Sequence, residues 1–236
     1  MFEIKDVIGG CEFIKRINKY MGELKIKGKV EKAFISNPGR LEDLLIKGVG
    51  GYVKKVDNPR RKTKYDLLCI ENKEGIIVGI DSRIPNKLFE YLIENNRVEE
   101  LKGYKLKRRE YRIGKSRIDY LFERNGDKYL VELKICTLVK NKVMLFPDAV
   151  SARSTKHLRD LIRIKSQGYR PIVYFLGLRR DPESFSPNGK IDPEFEEAYK
   201  EALKEGIEIF PVKSRVDYKS QKLIFSEFEK ILLKSR

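Results

Sequence analysis

The sequence predicts a small N-terminal β-barrel followed by an α/β domain with a mixed central sheet, and three observations predict it. Five or six short strand-like runs fall within about the first 80 residues, separated by glycine, asparagine and proline turns. From Pro85 onward, runs with helical spacing alternate with strand-like ones. Within that second part lies an unbroken apolar run, Ile172-Val173-Tyr174-Phe175-Leu176, suited to a strand covered on both faces.

In the first part, Cys11 to Asn18, Tyr20 to Lys27 and Lys29 to Ser36 read as strands, interrupted by Gly22 and Gly28. Asn37-Pro38-Gly39 then precedes a short helical piece, Leu41 to Lys47. Tyr52 to Val56, Tyr65 to Glu71 and Ile76 to Ile80 are again strand-like, with turns at Asn58-Pro59 and from Asn72 to Gly75. This spacing suits an OB-like barrel, with another small barrel or a sandwich as the alternative. The boundary is expected near residue 83, giving units over 1–83 and 84–236.

In the second part, Asn86 to Asn95 places Leu88, Phe89, Leu92 and Ile93 on one helical stripe. A strand from Tyr104 to Arg109 leads to a hairpin from Arg117 to Lys134, and Val143 to Leu145 follows. Ser151 to Gln167 has helical spacing, with Gly168 where a C′ glycine belongs. After the strand from Pro171 to Leu178, Asp192-Pro193 opens a helix that Gly206 stops, and Ile207 to Val212 is a second buried strand. Helices flanking a mixed sheet, with the hairpin at its heart, follow from this alternation.

Composition narrows the function. The chain has 236 residues and a net charge of +16, which marks a partner of polyanions, nucleic acid foremost. No apolar run approaches the roughly 20 residues that span a bilayer, and Met1-Phe2-Glu3-Ile4 has no basic n-region, so no membrane partner and a cytoplasmic location are expected. Cys11, Cys69 and Cys136 are too few and too far apart for a disulfide framework or a zinc motif, and read as buried thiols. The single histidine, His157, excludes sites that need several imidazoles. Phosphoryl chemistry here would rest on Asp and Glu holding a hard cation such as Mg²⁺ or Mn²⁺.

The hairpin supplies such a pair. Its turn is Arg124-Asn125-Gly126-Asp127, a type I′ signature. Counting back from it sets Phe122 against Tyr129, Tyr120 against Val131, and Asp119 against Glu132. One step further, Arg117 opposes Lys134. One face carries Ile118, Tyr120, Phe122, Tyr129, Val131 and Leu133; the other is largely charged. Opposed carboxylates about 5 Å apart at Cβ repel each other, and so do opposed cations. Two readings of this face stand: a solvated face laced with ion pairs, or a metal site. In the second, Asp119 and Glu132 bind a divalent cation and Lys134 steadies the reacting phosphate or a water. Glu110 is a candidate third carboxylate, and Glu90 another.

The Asp119 and Glu132-Leu133-Lys134 pattern resembles the restriction-endonuclease-like superfamily, written PD…(D/E)xK, without its proline. A wider match covers nearly the whole chain. Ser116-Arg117-Ile118-Asp119-Tyr120-Leu121, Val131-Glu132-Leu133-Lys134, Thr137-Leu138-Val139, Phe146-Pro147-Asp148-Ala149-Val150 and Lys156-His157-Leu158 resemble the sugar fermentation stimulation protein A family. Asn37, Gly39-Arg40, Arg61-Lys62-Thr63-Lys64-Tyr65 and Ile191-Asp192-Pro193 add to the match. The resemblance implies an OB-like domain joined to a nuclease-like domain, and a DNA-binding role associated with regulation of sugar-use genes. One departure is Ala33, near the place where the family usually has a histidine, so no function of that histidine transfers.

Three basic clusters support a nucleic-acid partner. Arg60, Arg61, Lys62 and Lys64 crowd one loop of the barrel. Lys102, Lys105, Lys107, Arg108, Arg109, Arg112, Lys115 and Arg117 surround Glu110, with Tyr104 and Tyr111 interleaved as candidate stacking rings. Arg153, Lys156, His157 and Arg159 share a helix. Each cluster also reads as a solvated basic surface. Arg40, after Gly39, is a further phosphate candidate, or part of a plain turn. His157 either contacts phosphate or the site, or hydrogen-bonds a neighbouring strand; Asp148 is either a helix cap or an outer carboxylate of the site. The expected function is DNA binding with little sequence specificity, joined to a divalent-metal-dependent phosphodiesterase (nuclease) site. The alternatives are a non-catalytic DNA-binding regulator and an RNA- or ribosome-associated protein.

Overall fold

A computed structural model describes residues 1–114 and 116–234. The chain opens with Phe2–Ile4 (β1), then Val7–Asn18 (β2), Met21–Ile26 (β3), Lys29–Ile35 (β4), Gly50–Lys55 (β5), Tyr65–Glu71 (β6) and Ile77–Gly79 (β7). Strands β2 to β7 form one sheet in the order β4-β3-β2-β5-β6-β7. Parallel pairing of Ala33–Ile35 with Tyr65–Leu67 closes β2 to β6 into an OB-like barrel. Phe13, Leu24, Ile35, Val53 and Leu67 fill it. The helical piece expected from Leu41 to Lys47 does not form. Leu41 sits at φ 53°, a left-handed conformation that blocks helix initiation, and the segment makes one turn in which Leu45 N–H donates to the Leu41 carbonyl at 2.8 Å. Leu41 and Leu44 plug the barrel instead.

Ile84–Glu94 (α1) begins the second part, with Lys105–Ile113 (β8), Ser116–Arg124 (β9) and Asp127–Ile135 (β10) after it. Next come Val139–Lys140 (β11), Val143–Phe146 (β12), Ala152–Lys165 (α2), Arg170–Gly177 (β13), Ser184–Pro187 (β14) and Pro193–Lys204 (α3). Glu208–Lys213 (β15), Val216–Lys219 (β16), Lys222–Phe225 (β17), Glu229–Lys230 (β18) and Leu232–Leu233 (β19) complete the described chain. The central sheet runs β18-β15-β13-β10-β9-β8, parallel through β10, β13 and β15 and antiparallel elsewhere. Helix α1 covers one face, packing Leu88, Phe89 and Leu92 on Tyr120, Phe122 and Tyr174. Helices α2 and α3 cover the other, over Leu121, Leu130, Val173 and Phe175.

Helices α2 and α3 start where the sequence puts them. Ser151 caps α2, its hydroxyl accepting from Ser154 N–H, and Asp192 caps α3, accepting from Phe195 N–H at 3.0 Å. Asp148 caps neither helix. Strand β1 pairs with β17, so the first strand lies with the last part of the chain rather than in the barrel. Asn125 and Gly126 both take positive φ, 50° and 91°, as a type I′ turn requires. The expected register follows from Asp127↔Arg124 through Val131↔Tyr120. Two expectations fail at its far end. Ile118 belongs to the core under α2, not to the side of Tyr120 and Phe122, so side-chain alternation breaks around Asp119. The face read as charged is no open surface either, because β13 extends the sheet beyond β10 and α2 packs over it.

Candidate metal and active site

The break in alternation builds the site. The β9–β10 ladder ends at Tyr120–Val131, one step short of Asp119 and Glu132. There the Asp119 carboxylate takes over as acceptor, and Leu133 N–H donates to its Oδ2 at 2.8 Å. Arg117 consequently does not oppose Lys134. It pairs with Arg112 on β8, and its Nε meets Glu110 at 2.7 Å. Glu132 is held from the other side by its register with Val173 and is 4% exposed. Its Oε1 accepts from Lys134 Nζ at 2.5 Å and lies 3.0 Å from His157 Nδ1. Its Oε2 is buried without a hydrogen-bond partner.

The two carboxylates differ in their proton affinity. Burial, and then the negative charge of Glu132, push Asp119 up to about 7, only partly offset by the Leu133 amide and Lys134. Burial acts on Glu132 in the same direction, but the Lys134 charge and the bonds from His157 and Lys134 outweigh it and hold Glu132 ionised, down to about 2. Asp119 is thus the member of the pair that takes up a proton toward neutrality, while Glu132 stays ionised. A buried carboxylate oxygen without a partner, beside a second carboxylate that resists ionisation, is a donor set suited to a hard cation. Among the described residues no three His, Cys, Asp or Glu side chains gather into a complete metal shell. Water and phosphate oxygens would therefore fill the remaining positions.

The other predicted residues divide into groups. Glu110, at φ 50° on β8, adds to the negative field at Asp119 while paired with Arg117. Glu90 is not in the site. It lies on the opposite face of the sheet, where Arg109 Nε binds it at 2.8 Å and the Tyr120 hydroxyl at 3.1 Å. Arg109 is thereby engaged, whereas Arg108 points to solvent. Tyr104 packs edge-on against Tyr129 at 4.7 Å, and the Tyr111 hydroxyl meets that of Tyr169 at 3.2 Å. Tyr104 is therefore no free stacking ring. Lys115 lies outside the described residues. On α2, Arg153 is exposed, Lys156 pairs with Asp160, and His157 is buried against Glu132. In the barrel, Arg60, Lys62 and Lys64 are exposed, while Arg61 is tied to Asp66. Arg40 and Asp148 line a cleft of about 910 Å³ between the barrel and the α/β part, together with Lys140 and Lys190. Sequence reasoning did not reach the Leu133 amide, since every non-proline residue carries one. Nor did it bring Arg40 and Asp148 together, as only the tertiary fold joins loops so far apart.

Residues 14–80 match the family model described as the SfsA N-terminal OB domain, and residues 83–220 match the sugar fermentation stimulation protein RE domain. The chain is 38% identical over 199 residues to a sugar fermentation stimulation protein homolog of Pyrococcus furiosus, covering 84% of this chain and 85% of that protein. It is 38% identical over 215 residues to a homolog of Clostridium tetani, covering 91% and 93%. A solved structure of Pyrococcus furiosus SfsA in complex with Ca²⁺ superposes with a TM-score of 0.89 at 33% identity, covering 99% of this chain and 98% of that one. The architecture is thus an OB-like barrel joined to an α/β domain that matches the family's RE domain, and the chain belongs to the sugar fermentation stimulation protein family.

Proposed function

We propose that this protein binds DNA with little sequence specificity and hydrolyses phosphodiesters at a divalent-cation site of the PD-(D/E)xK kind. The observation that carries this reading is the buried, unpartnered Oε2 of Glu132 beside the protonation-prone Asp119. Asp119 and Glu132 are the residues that would hold Mg²⁺ or Mn²⁺. Such a cation polarises a phosphodiester oxygen and acidifies a bound water. Lys134 and His157 both engage Oε1, which leaves Oε2 without a hydrogen bond. Lys134 also places a positive charge where the phosphate accumulates negative charge. His157 orients the carboxylate rather than contacting phosphate from solvent. The Ca²⁺ complex of the Pyrococcus furiosus relative supports the choice of a hard cation.

The test is incubation with plasmid and single-stranded DNA in Mg²⁺ or Mn²⁺, beside Asp119→Asn and Lys134→Ala. Cleavage is expected, slowed in each variant by about a hundredfold or more. Retained DNA binding without cleavage of any substrate would sink the enzyme reading. It would favour a regulator that keeps the scaffold.

A further inference from the structure

The phosphodiester site makes no use of the barrel face between the β2–β3 turn and the segment leading into β6. In that turn Tyr20 is 47% exposed, and its ring stacks on Phe34 with centroids 6.2 Å apart and planes at 21°. Met21 pairs with Phe34 across the ladder. The guanidinium groups of Arg61 and Arg83 lie 5.4 and 5.7 Å from the Phe34 ring centre, and both are anchored on Asp66. Lys19 lies 5.7 Å from the Tyr20 ring centre, and Lys62 borders the same hollow of about 410 Å³. An exposed tyrosine stacked on a half-buried phenylalanine, with Lys19 and Lys62 at its rim, is what a base with an open face requires: a flat apolar surface for the ring and positive charge for its phosphate.

Arg16 ties this platform to the rest of the molecule. Its guanidinium donates to five backbone carbonyls: Asn18 at 3.3 Å, Lys19 at 2.6 Å, Asn37 at 2.8 Å, Gly39 at 2.6 Å and Arg40 at 2.9 Å. The Tyr20 turn and the Arg40 loop are therefore one rigid piece, and Arg40 lines the cleft between barrel and α/β domain. We infer that Tyr20 and Phe34 form a base-stacking subsite for single-stranded nucleic acid, from which the strand runs past Arg40 into the cleft. Duplex DNA cannot use the subsite, because its bases are stacked on each other. The small apolar area and the net charge of +16 fit a polynucleotide better than a protein surface. The inference rests on the polynucleotide-binding reading above and is independent of cleavage.

Fluorescence anisotropy in EDTA tests it, with a labelled single-stranded oligonucleotide and the duplex of the same sequence. Tyr20→Ala and Phe34→Ala are each expected to weaken single-strand binding about tenfold while changing duplex binding by less than about twofold. Tyr20→Phe keeps the stacking ring and is expected to bind as the unsubstituted protein does. The chain has no tryptophan, so Tyr20→Trp supplies a unique reporter whose emission should be quenched when the single strand saturates. An unchanged single-strand affinity in Tyr20→Ala, an unquenched Tyr20→Trp, or equal losses on duplex and single strand would each overturn the subsite. The two proposals fail separately. A protein that cleaves DNA but ignores Tyr20→Ala lacks only the subsite, and one that binds single strands through Tyr20 but cleaves nothing lacks only the nuclease.

Discussion

Asp119 sits between two demands, accepting the Leu133 amide and avoiding the charge of Glu132. Its ordinary value of 3.8 is raised to about 7 in the fold. The folded protein therefore binds the proton more tightly than the unfolded chain between those values, so stability without metal falls as pH rises through that window. Asn at position 119 removes the charge and keeps an acceptor oxygen. Asp119→Asn is expected to melt above the unsubstituted protein at pH 8 in EDTA, with a clearly smaller gap at pH 5. Equal melting temperatures at both values would contradict the raised affinity. Glu132 acts with the opposite sign: its contribution is present above 4.5 and lost as pH falls toward about 2. His157 sets the rotamer of that carboxylate through Oε1. Losing such an orienting partner typically costs about tenfold or more in metal affinity. Calorimetric titration of His157→Ala with Mn²⁺ checks this, and an affinity equal to that of the unsubstituted protein would show that the carboxylate needs no orienting. With Glu132→Gln the Mn²⁺ signal should vanish altogether.

Among the elements, the β9–β10 hairpin carries the site, and its turn sets the register. Gly126 at φ 91° has no comfortable replacement. Gly126→Ala is expected to cost about 1 kcal/mol and lower the melting temperature by about 2–4 °C. No shift in a thermal scan would mean that the turn does not hold the register. This hairpin was legible because its cue is local: two residues fix the pairing from Arg124–Asp127 to Tyr120–Val131. The apolar run in β13 and the helix start at Asp192 were legible for the same reason. Harder to read were elements that exist only through distant partners. Strands β14, β18 and β19 have two to four residues and owe their form to β12, β15 and β14 respectively. The divergence of β9 from β10 likewise carries no sequence mark, so Ile118 was placed in the wrong core. Leu41 shows the converse, a helical pattern overridden by a leucine drawn into the barrel.

Across the whole molecule, the positive charge is unevenly committed. Arg61, Arg109 and Lys156 neutralise Asp66, Glu90 and Asp160, whereas Arg60, Lys62, Lys64, Arg108 and Arg153 are exposed. Under the proposed DNA binding, contact of these five with phosphates implies that duplex affinity drops about five-hundredfold between about 50 and 200 mM salt. A flat salt profile would remove the electrostatic basis of the DNA reading. The barrel and the α/β domain are also bound to each other. Tyr52, Leu68 and Cys69 of the barrel share a core with Leu88, Phe89, Tyr174 and Leu178. Gly79 N–H donates to the Leu178 carbonyl at 2.8 Å, so closely that a Cβ on Gly79 would stand 2.7 Å from that of Leu178. Strand β1 adds a further tie by pairing with β17. Parts that share a core lose it together, so unfolding should be one cooperative transition. In Tyr20→Trp, tryptophan emission reports the barrel and circular dichroism reports the whole chain; their urea midpoints should coincide. Gly79→Ala forces the two parts to shift at their joint and should lower both midpoints by the same amount. A tryptophan transition that moves independently of the dichroism would show instead that the barrel folds as a separate unit.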